Sequence, residues 1–399
     1  MKNIFRYLSL IVLFGSIAGV PKAFALSLSD FVIYGEGDVV IGESDDIEGR
    51  IGSGGDLEIK AGVDVRSLYS KDDLEIGENA LVTGTVVAND DLDTKAGSQV
   101  TGNAHSGGNA TIGQGATLNG NLTSNGEVDL KTDGRVTQNV LTNSDYIGGN
   151  NSQTNGNVGA NGNVLLKPDA RVDGHVTHGG DLTVQSGASV GSSSSGSSVV
   201  SPESFDTPDL PAPTVFSAGG SDINTGTGES TVLTPGSYGA LDLGEGNSLF
   251  LTSGTYFFES INTQDGLDLN IDLAGGDIEV FVEDDASFGS HLDFQLTGGD
   301  ANDIFTEVHG SFLTRSDSEW FGTLYTPFDD MTIGENNTIT GALYGGRDIL
   351  LKTNVRLVAP DGGVGGGELP VPTAIPEPGT MAMMGFGLAG LLKLRRKSA

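Results

Sequence analysis

Between Gly37 and Ser197 the chain repeats itself in lines of 18 residues, nine times over. Aligned on the apolar residue that follows each Gly-Asp-like pair, the first column reads Val39, Leu57, Leu74, Leu92, Ala110, Val128, Tyr146, Val164 and Leu182. Every step is 18 residues except Leu57 to Leu74, which is 17. Two residues on stand Ile41, Ile59, Ile76, Thr94, Ile112, Leu130, Gly148, Leu166 and Val184. Eight on stand Ile47, Val65, Val82, Val100, Leu118, Val136, Thr154, Val172 and Val190. Twelve on stand Ile51, Tyr69, Val86, Ala104, Leu122, Val140, Val158 and Val176, with Ser194 breaking the column. A fixed period of this length is the sequence sign of a solenoid, in which each repeat buries its apolar face only by stacking on its neighbours.

The columns predict the coil. The first two apolar sites flank one outward residue, so they share a short strand with both side chains inward. The other two columns supply one inward residue each to two further strands. Stacked at about 4.8 Å, nine such coils make a rod roughly 40 Å long. Glycines recur two residues before the first column (Gly37, Gly55, Gly108, Gly126, Gly162, Gly180) and ten after it (Gly49, Gly84, Gly102, Gly120, Gly156, Gly174). They are expected at corners that need a positive φ. Residues 26–36 are expected to cap the first coil with Phe31, Ile33 and Tyr34.

The fold class expected is all-β: a β-solenoid of 18-residue coils over residues 26–200, then a second β-rich, solenoid-like domain over 214–360. Residues 201–213, with Pro202, Pro208, Pro211 and Pro213, read as a linker. The second domain is rich in aromatics, and Leu267-x-Leu269-x-Ile271-x-Leu273 and Ile278-x-Val280-x-Val282 alternate as half-buried strands do. Its end returns to the coil pattern. Met331, Ile333, Ile339 and Leu343 fit the columns, and Ile349, Leu351 and Leu357 repeat them 18 residues later. The second domain is therefore expected to be a solenoid with wider coils and insertions.

Charge excludes one class of partner. The balance is −33, and seven basic residues lie at the two ends (Lys2, Arg6, Lys22, Lys393, Arg395, Arg396, Lys397). The chain between them has too little positive charge to neutralise nucleic-acid phosphates. There is no cysteine, so no disulfide framework, thiolate metal site or cysteine nucleophile is available. Residues 1–25 read as a secretory signal: Lys2 and Arg6, the apolar run Tyr7 to Val20, then Ala23-Phe24-Ala25 with Ala23 and Ala25 as the small residues of a cleavage site.

At the other end, a Gly/Pro spacer (361–375) leads to Pro376-Glu377-Pro378, an apolar run from Gly379 to Leu392, and Lys393-Leu394-Arg395-Arg396-Lys397. The run is about 14 residues, a short membrane helix in the precursor, with basic residues to hold its end in the cytoplasm. Residues 376–399 resemble the PEP-CTERM sorting tail of Gram-negative bacteria. The resemblance implies an exosortase-type sorting protease as partner, acting at Pro376, Glu377 and Pro378, with Arg395 and Arg396 as the basic terminus. It also implies transient membrane anchoring, then a cell-surface or extracellular location, and an association with exopolysaccharide and biofilm. Lines such as Ala80-Leu81-Val82-Thr83-Gly84-Thr85-Val86 and Ala116-Thr117-Leu118-Asn119-Gly120-Asn121-Leu122 resemble bactofilins, polymer-forming bacterial β-helix proteins. That likeness implies end-to-end self-assembly.

Candidate chemistry is sparse. Just before the first column stand Asp38, Asp56, Asp73, Asp91, Asn109, Glu127, Asp145, Asn163 and Asp181. Stacked about 5 Å apart, the carboxylates repel, and calcium could bridge Asp38, Asp56, Asp73, Asp91, Asp145 and Asp181. The plainer reading is a solvated corner. No other cofactor is expected. Asn103, Asn121, Asn139 and Asn157 form one amide ladder, and Asn89, Asn125, Asn143 and Asn161 a second. The outward pairs Thr83/Thr85, Thr101/Asn103 and Asn119/Asn121 are too mixed for a regular threonine array that would bind ice. Gly187-Ala188-Ser189-Val190-Gly191 has the nucleophile-elbow spelling but no following helix. His175 and His178 lack a third ligand, and Trp320, Phe321, Tyr325 and Tyr344 read as core before they read as a sugar-stacking strip. No catalytic residue is assigned. The reading is a non-enzymatic, exported structural or adhesive protein of the cell surface or matrix. The alternatives are a surface that binds ice or polysaccharide and, behind it, a polysaccharide-active enzyme.

Overall fold

The computed structural model describes residues 23–197 and 200–360, and the chain divides into two units. One unit is built from residues 34–208 and the other from residues 28–33 and 209–360. Both are parallel β-solenoids.

In the first unit the sequence columns become hydrogen-bonded ladders. Val39, Leu57, Leu74, Leu92, Ala110, Val128, Tyr146, Val164 and Leu182 are partners in unbroken parallel register. The eight-on column pairs from Ile47 to Val190 in the same way. These side chains fill the interior: Val39, Ile41, Ile59, Ile76, Val82, Leu118 and Val140 are all fully buried. Each contributes roughly 1.5–3 kcal/mol through burial, so the apolar columns, repeated in every coil, hold the stack against its acidic surface.

Three details depart from the sequence reading. The shortened line loses its residue between Val65 and Leu68, so the twelve-on partner of Ile51 and Val86 is Leu68, not Tyr69. Tyr69 turns to the next position and meets Phe205, with ring centroids 5.6 Å apart. In the last line a similar shift makes Ser193, not Ser194, the partner of Val176. The glycine columns also act differently. The positive-φ corner lies five residues after the first column, at Ser44, Gly62, Asn79, Gly97, Gly115, Asp133, Asn151, Asp169 and Gly187. Asn, Asp and Gly tolerate that conformation best. The glycines two before the first column are there for space. A Cβ on Gly162 would sit 1.9 Å from Asp145 Oδ1, and one on Gly108 2.2 Å from Asp91 Oδ1.

The second unit uses the same corner. Its first column is Ile223, Leu241, Ile261, Ala286, Phe312, Met331 and Ile349. Five residues after each comes a positive φ: Gly228, Gly246, Gly266, His291, Asp317, Asn336 and Asn354. The middle coils are widened by longer strands such as Asp268–Asp272, Ile278–Val282 and Asp293–Thr297. Aromatics fill the extra width. Trp320 stands edge-on to Phe288, Phe294 and Phe312 at 5.2–5.5 Å between centroids.

Residues 201–213, read as a linker, are packed. Ser204–Asp206 is a strand paired in parallel with Ala23–Ala25. Val200 and Phe205 are buried. The carboxamide of Asn143 accepts from the Val200 N–H at 3.0 Å and donates to its carbonyl at 2.7 Å. Asn89 grips the Phe205 backbone in the same two-way fashion, at 2.7 and 2.8 Å. Residues 200–206 thus form a strap along one asparagine ladder. Of residues 26–36, expected to cap the first coil with Phe31, Ile33 and Tyr34, Tyr34 onward belong with the first unit and Leu28–Ile33 with the second. There Val32 accepts from the Leu343 N–H at 2.8 Å and Phe31 from the Tyr344 hydroxyl at 3.1 Å.

Candidate functional site

The acidic ladder lies where its sequence spacing puts it, and its carboxylates are engaged by the backbone. Asp38 Oδ1 accepts from the Asp56 N–H at 2.9 Å, Asp56 from Asp73 at 3.1 Å, and Asp73 from Asp91 at 3.0 Å. Asp91 accepts from Asn109, Asn109 from Glu127, Asp145 from Asn163, and Asn163 from Asp181, at 2.6–2.9 Å. Each side chain therefore spans one coil and caps the next corner. The missing Cβ of the adjoining glycine makes room for it. Asp90 lies beside this row. Partial desolvation, then repulsion from Asp73, Asp91 and Asp72, raises its carboxyl above the ordinary range. Among the described residues no group of three or more His, Asp or Glu is placed to hold a metal ion.

A second set of ties was missed in the sequence. Fourteen residues after the first column stand Ser53, Ser106, Ser124 and Thr142, and Ser70 in the shortened line, all fully buried. Ser53 Oγ donates to Gly37 O and Asp56 O at 2.8 Å, and Ser106 Oγ to Asp90 O at 2.9 Å and Asn109 O at 2.7 Å. A Ser/Thr column at a fixed offset was the available signal. It is broken by Ala88, Ala160, His178 and Gly196.

The other candidates separate. The first asparagine ladder is bonded along its length: the Asn121 and Asn139 amides donate to the Oδ1 one coil earlier at 3.2 and 3.0 Å, and the Asn157 N–H donates to Asn139 Oδ1 at 2.9 Å. His175 contacts Ser192 and Ser194, whereas His178 turns to the Gly180 carbonyl. Ser189 is on the exposed strand Ser189–Ser195, with no helix after it. Trp320, Tyr325 and Tyr344 are buried, and the Tyr325 hydroxyl donates to Pro211 O at 2.8 Å. They form no open strip. Glu307, also buried, accepts from the Thr214 N–H and hydroxyl at 2.7 and 2.8 Å and pairs with His309 Nε2 at 2.7 Å. It is a clasp for the segment after the strap. Ala23 and Ala25 lie in the short strand paired with Ser204–Asp206. The remainder of the signal segment, the sorting residues Pro376, Glu377, Pro378, Arg395 and Arg396, and the apolar run before them lie outside the described residues.

One surface is unlike the rest. In each earlier coil the first-column N–H donates to the next coil, as Val164 N does to Asp181 O at 2.8 Å. Among the described residues no following coil accepts from Leu182. Leu182–Val184 and Ser189–Ser195 are largely exposed, and Val184 is 42% exposed. The first coil of the second unit shows the opposite kind of edge. Ile223 N donates forward to Ala240 O at 2.8 Å, but among the described residues no earlier coil of that unit donates back to Asp222. Val232 on this coil is 70% exposed.

Comparison with known families agrees with the tail and the repeats. Residues 374–397 match the PEP-CTERM protein-sorting motif. The chain carries an export and sorting signal. Residues 94–195 match the Bactofilin family, described as polymer-forming and cytoskeletal, and residues 221–319 match a domain of unknown function, DUF7305. The chain is thus a secreted PEP-CTERM protein with bactofilin-like β-solenoid repeats. No curated protein sequence matches it. Among solved structures, an ice binding protein from an Antarctic bacterium, Flavobacteriaceae, aligns over 87% of this chain and 98% of its own, at 11% identity and a TM-score of 0.25.

Proposed function

We propose that this chain is a non-enzymatic structural and adhesive protein of the bacterial cell surface or extracellular matrix, associated with exopolysaccharide, that assembles with copies of itself. The observation that carries the reading is the open coil at Leu182–Ser195. A solenoid end without a polar cap leaves unpaired backbone and apolar surface that a further strand would cover. Its unused donor at Leu182 is complementary to the unused acceptor at Asp222 on a second copy. Pairing of two different edges is heterologous, and it extends into filaments where the rotation does not close. The description of the matched repeat family as polymer-forming supports the same reading. In the precursor, a Gram-negative exosortase would act at Pro376-Glu377-Pro378 while the apolar run holds the chain in the membrane. The test is sedimentation velocity of the protein and of Val184→Lys, which places a charge on the open coil. The wild type should sediment as a concentration-dependent series of oligomers and the variant as a monomer. A wild type that stays monomeric at all concentrations would contradict the proposal.

A further inference from the structure

Three residues after the first column, lysine and glycine alternate from coil to coil: Lys60, Gly77, Lys95, Gly113, Lys131, Gly149, Lys167. The glycines are compelled by close approach of the coil before. A Cβ on Gly77 would meet the Lys60 carbonyl group at 2.4 Å, and one on Gly149 would meet Leu130 O at 2.4 Å. The lysines therefore recur every second coil, about 9.6 Å apart at ~4.8 Å per coil. The first three are neutralised by acids on the strand beside them. Lys60 pairs with Glu58, Lys95 with Asp93 at 2.7 Å and Glu75 at 2.9 Å, and Lys131 with Asp129 at 2.5 Å. At the fourth the pattern changes. The position of the acid is taken by Leu165, and Lys167 has no ion-pair partner among the described residues.

Between Lys131 and Lys167, over the bare backbone of Gly149, is a cleft of about 390 Å³ whose rim adds Gln114, Thr132 and Asn150. That is within the range of ligand clefts, roughly 300–1,000 Å³. It holds one ammonium already satisfied, one unsatisfied, three neutral polar side chains and an acidic wall. Asp129 spends Oδ2 on Lys131, while its buried Oδ1 has no hydrogen-bond donor. We propose that this cleft binds a hexuronate unit of an acidic polysaccharide. Its carboxylate would sit over Gly149 between the two ammonium groups. Its ring hydroxyls would bond Gln114, Thr132 and Asn150 on the rim. The single uncompensated lysine suits one carboxylate on an otherwise neutral ring.

The proposal extends the matrix reading by naming a ligand class, and it is tested separately from assembly. Calorimetric titration of the full protein with tetragalacturonate should show binding that Lys167→Ala weakens at least about tenfold, the loss expected for a charge-assisted hydrogen bond. Lys167→Arg should retain most of it. Lys60→Ala, outside the cleft, should leave it unchanged. Neutral galactotetraose and inorganic phosphate should bind far more weakly. No binding by the wild type, equal binding by Lys167→Ala with an unchanged melting temperature, or equal affinity for galactotetraose or phosphate would each overturn the proposal. Oligomers in sedimentation alongside any of these results would leave the assembly reading standing.

Discussion

At the residue scale, the coil tolerates an exception only when neighbouring sites change with it. Tyr146 occupies a column otherwise held by aliphatic residues and alanine. Its hydroxyl is met by Thr154 Oγ1 at 2.8 Å, both groups being buried. The sequence showed Tyr146, Gly148 and Thr154 as three separate lapses in three columns. The structure joins two of them, Tyr146 and Thr154, as one hydrogen-bonded pair across a single coil, whereas the space at Gly148 is bounded by Leu166, Ser152 and Ala170. Burial pushes the Tyr146 phenol up to about 12. Tyrosine ionises near 10 when the chain is unfolded, so Tyr146 contributes stability that is whole below pH 10 and lost as pH rises through about 12. Tyr146→Phe strands the Thr154 hydroxyl in the core and should cost about 1–3 kcal/mol. Urea unfolding at pH 7 measures that loss. The variant should also lose the steepest part of the decline in stability between pH 10 and 12. Equal decline in both proteins would show that Tyr146 is not the group responsible.

At the scale of the element, the strap at residues 200–206 is the part that periodicity could not announce. The ladders were legible because burial recurs every 18 residues, and a one-residue shift would turn each core column outward. The strap has no period. Its partners, Asn89 and Asn143, lie 116 and 57 residues away from the backbone they grip, and the four prolines of residues 201–213 pointed to a linker. The left-handed corner was missed for a related reason: it is filled by Ser, Asn, Asp, Gly and His in turn, which share a backbone preference and no hydropathy. The aspartate row was visible, but only the structure shows Asp38, Asp56, Asp73, Asp91 and Asp145 each bound to the next coil's N–H. Beneath the strap, His105 contacts Thr123 Oγ1 at 2.7 Å and faces Glu203 at 3.5 Å. Burial lowers its pKa below the ordinary histidine value, and Glu203 opposes that shift. The unfolded chain therefore binds this proton more readily, and stability falls as the pH drops below about 6.5. Melting temperatures from pH 7 to pH 5 should fall further for the wild type than for His105→Gln. Parallel curves would remove His105 from the account.

For the whole molecule, two solenoids share one coil plan, five residues from first column to left-handed corner, although the core of one is almost wholly aliphatic and the other adds aromatics to its aliphatic columns. Each repeats polar groups at fixed spacing on its surface, which suits many weak contacts to a polymer better than a single deep site. The sorting motif implies export of such a surface, and the proposed function has the open coils join it to further copies. The central claim is that joining. Negative-stain electron microscopy of the purified protein, with and without calcium, tests it most directly. The account predicts filaments or end-joined particles that disappear in Val184→Lys, and it predicts longer ones with calcium if the cation relieves repulsion along the Asp38–Asp91 row. Dispersed single particles for the wild type in both conditions would contradict it.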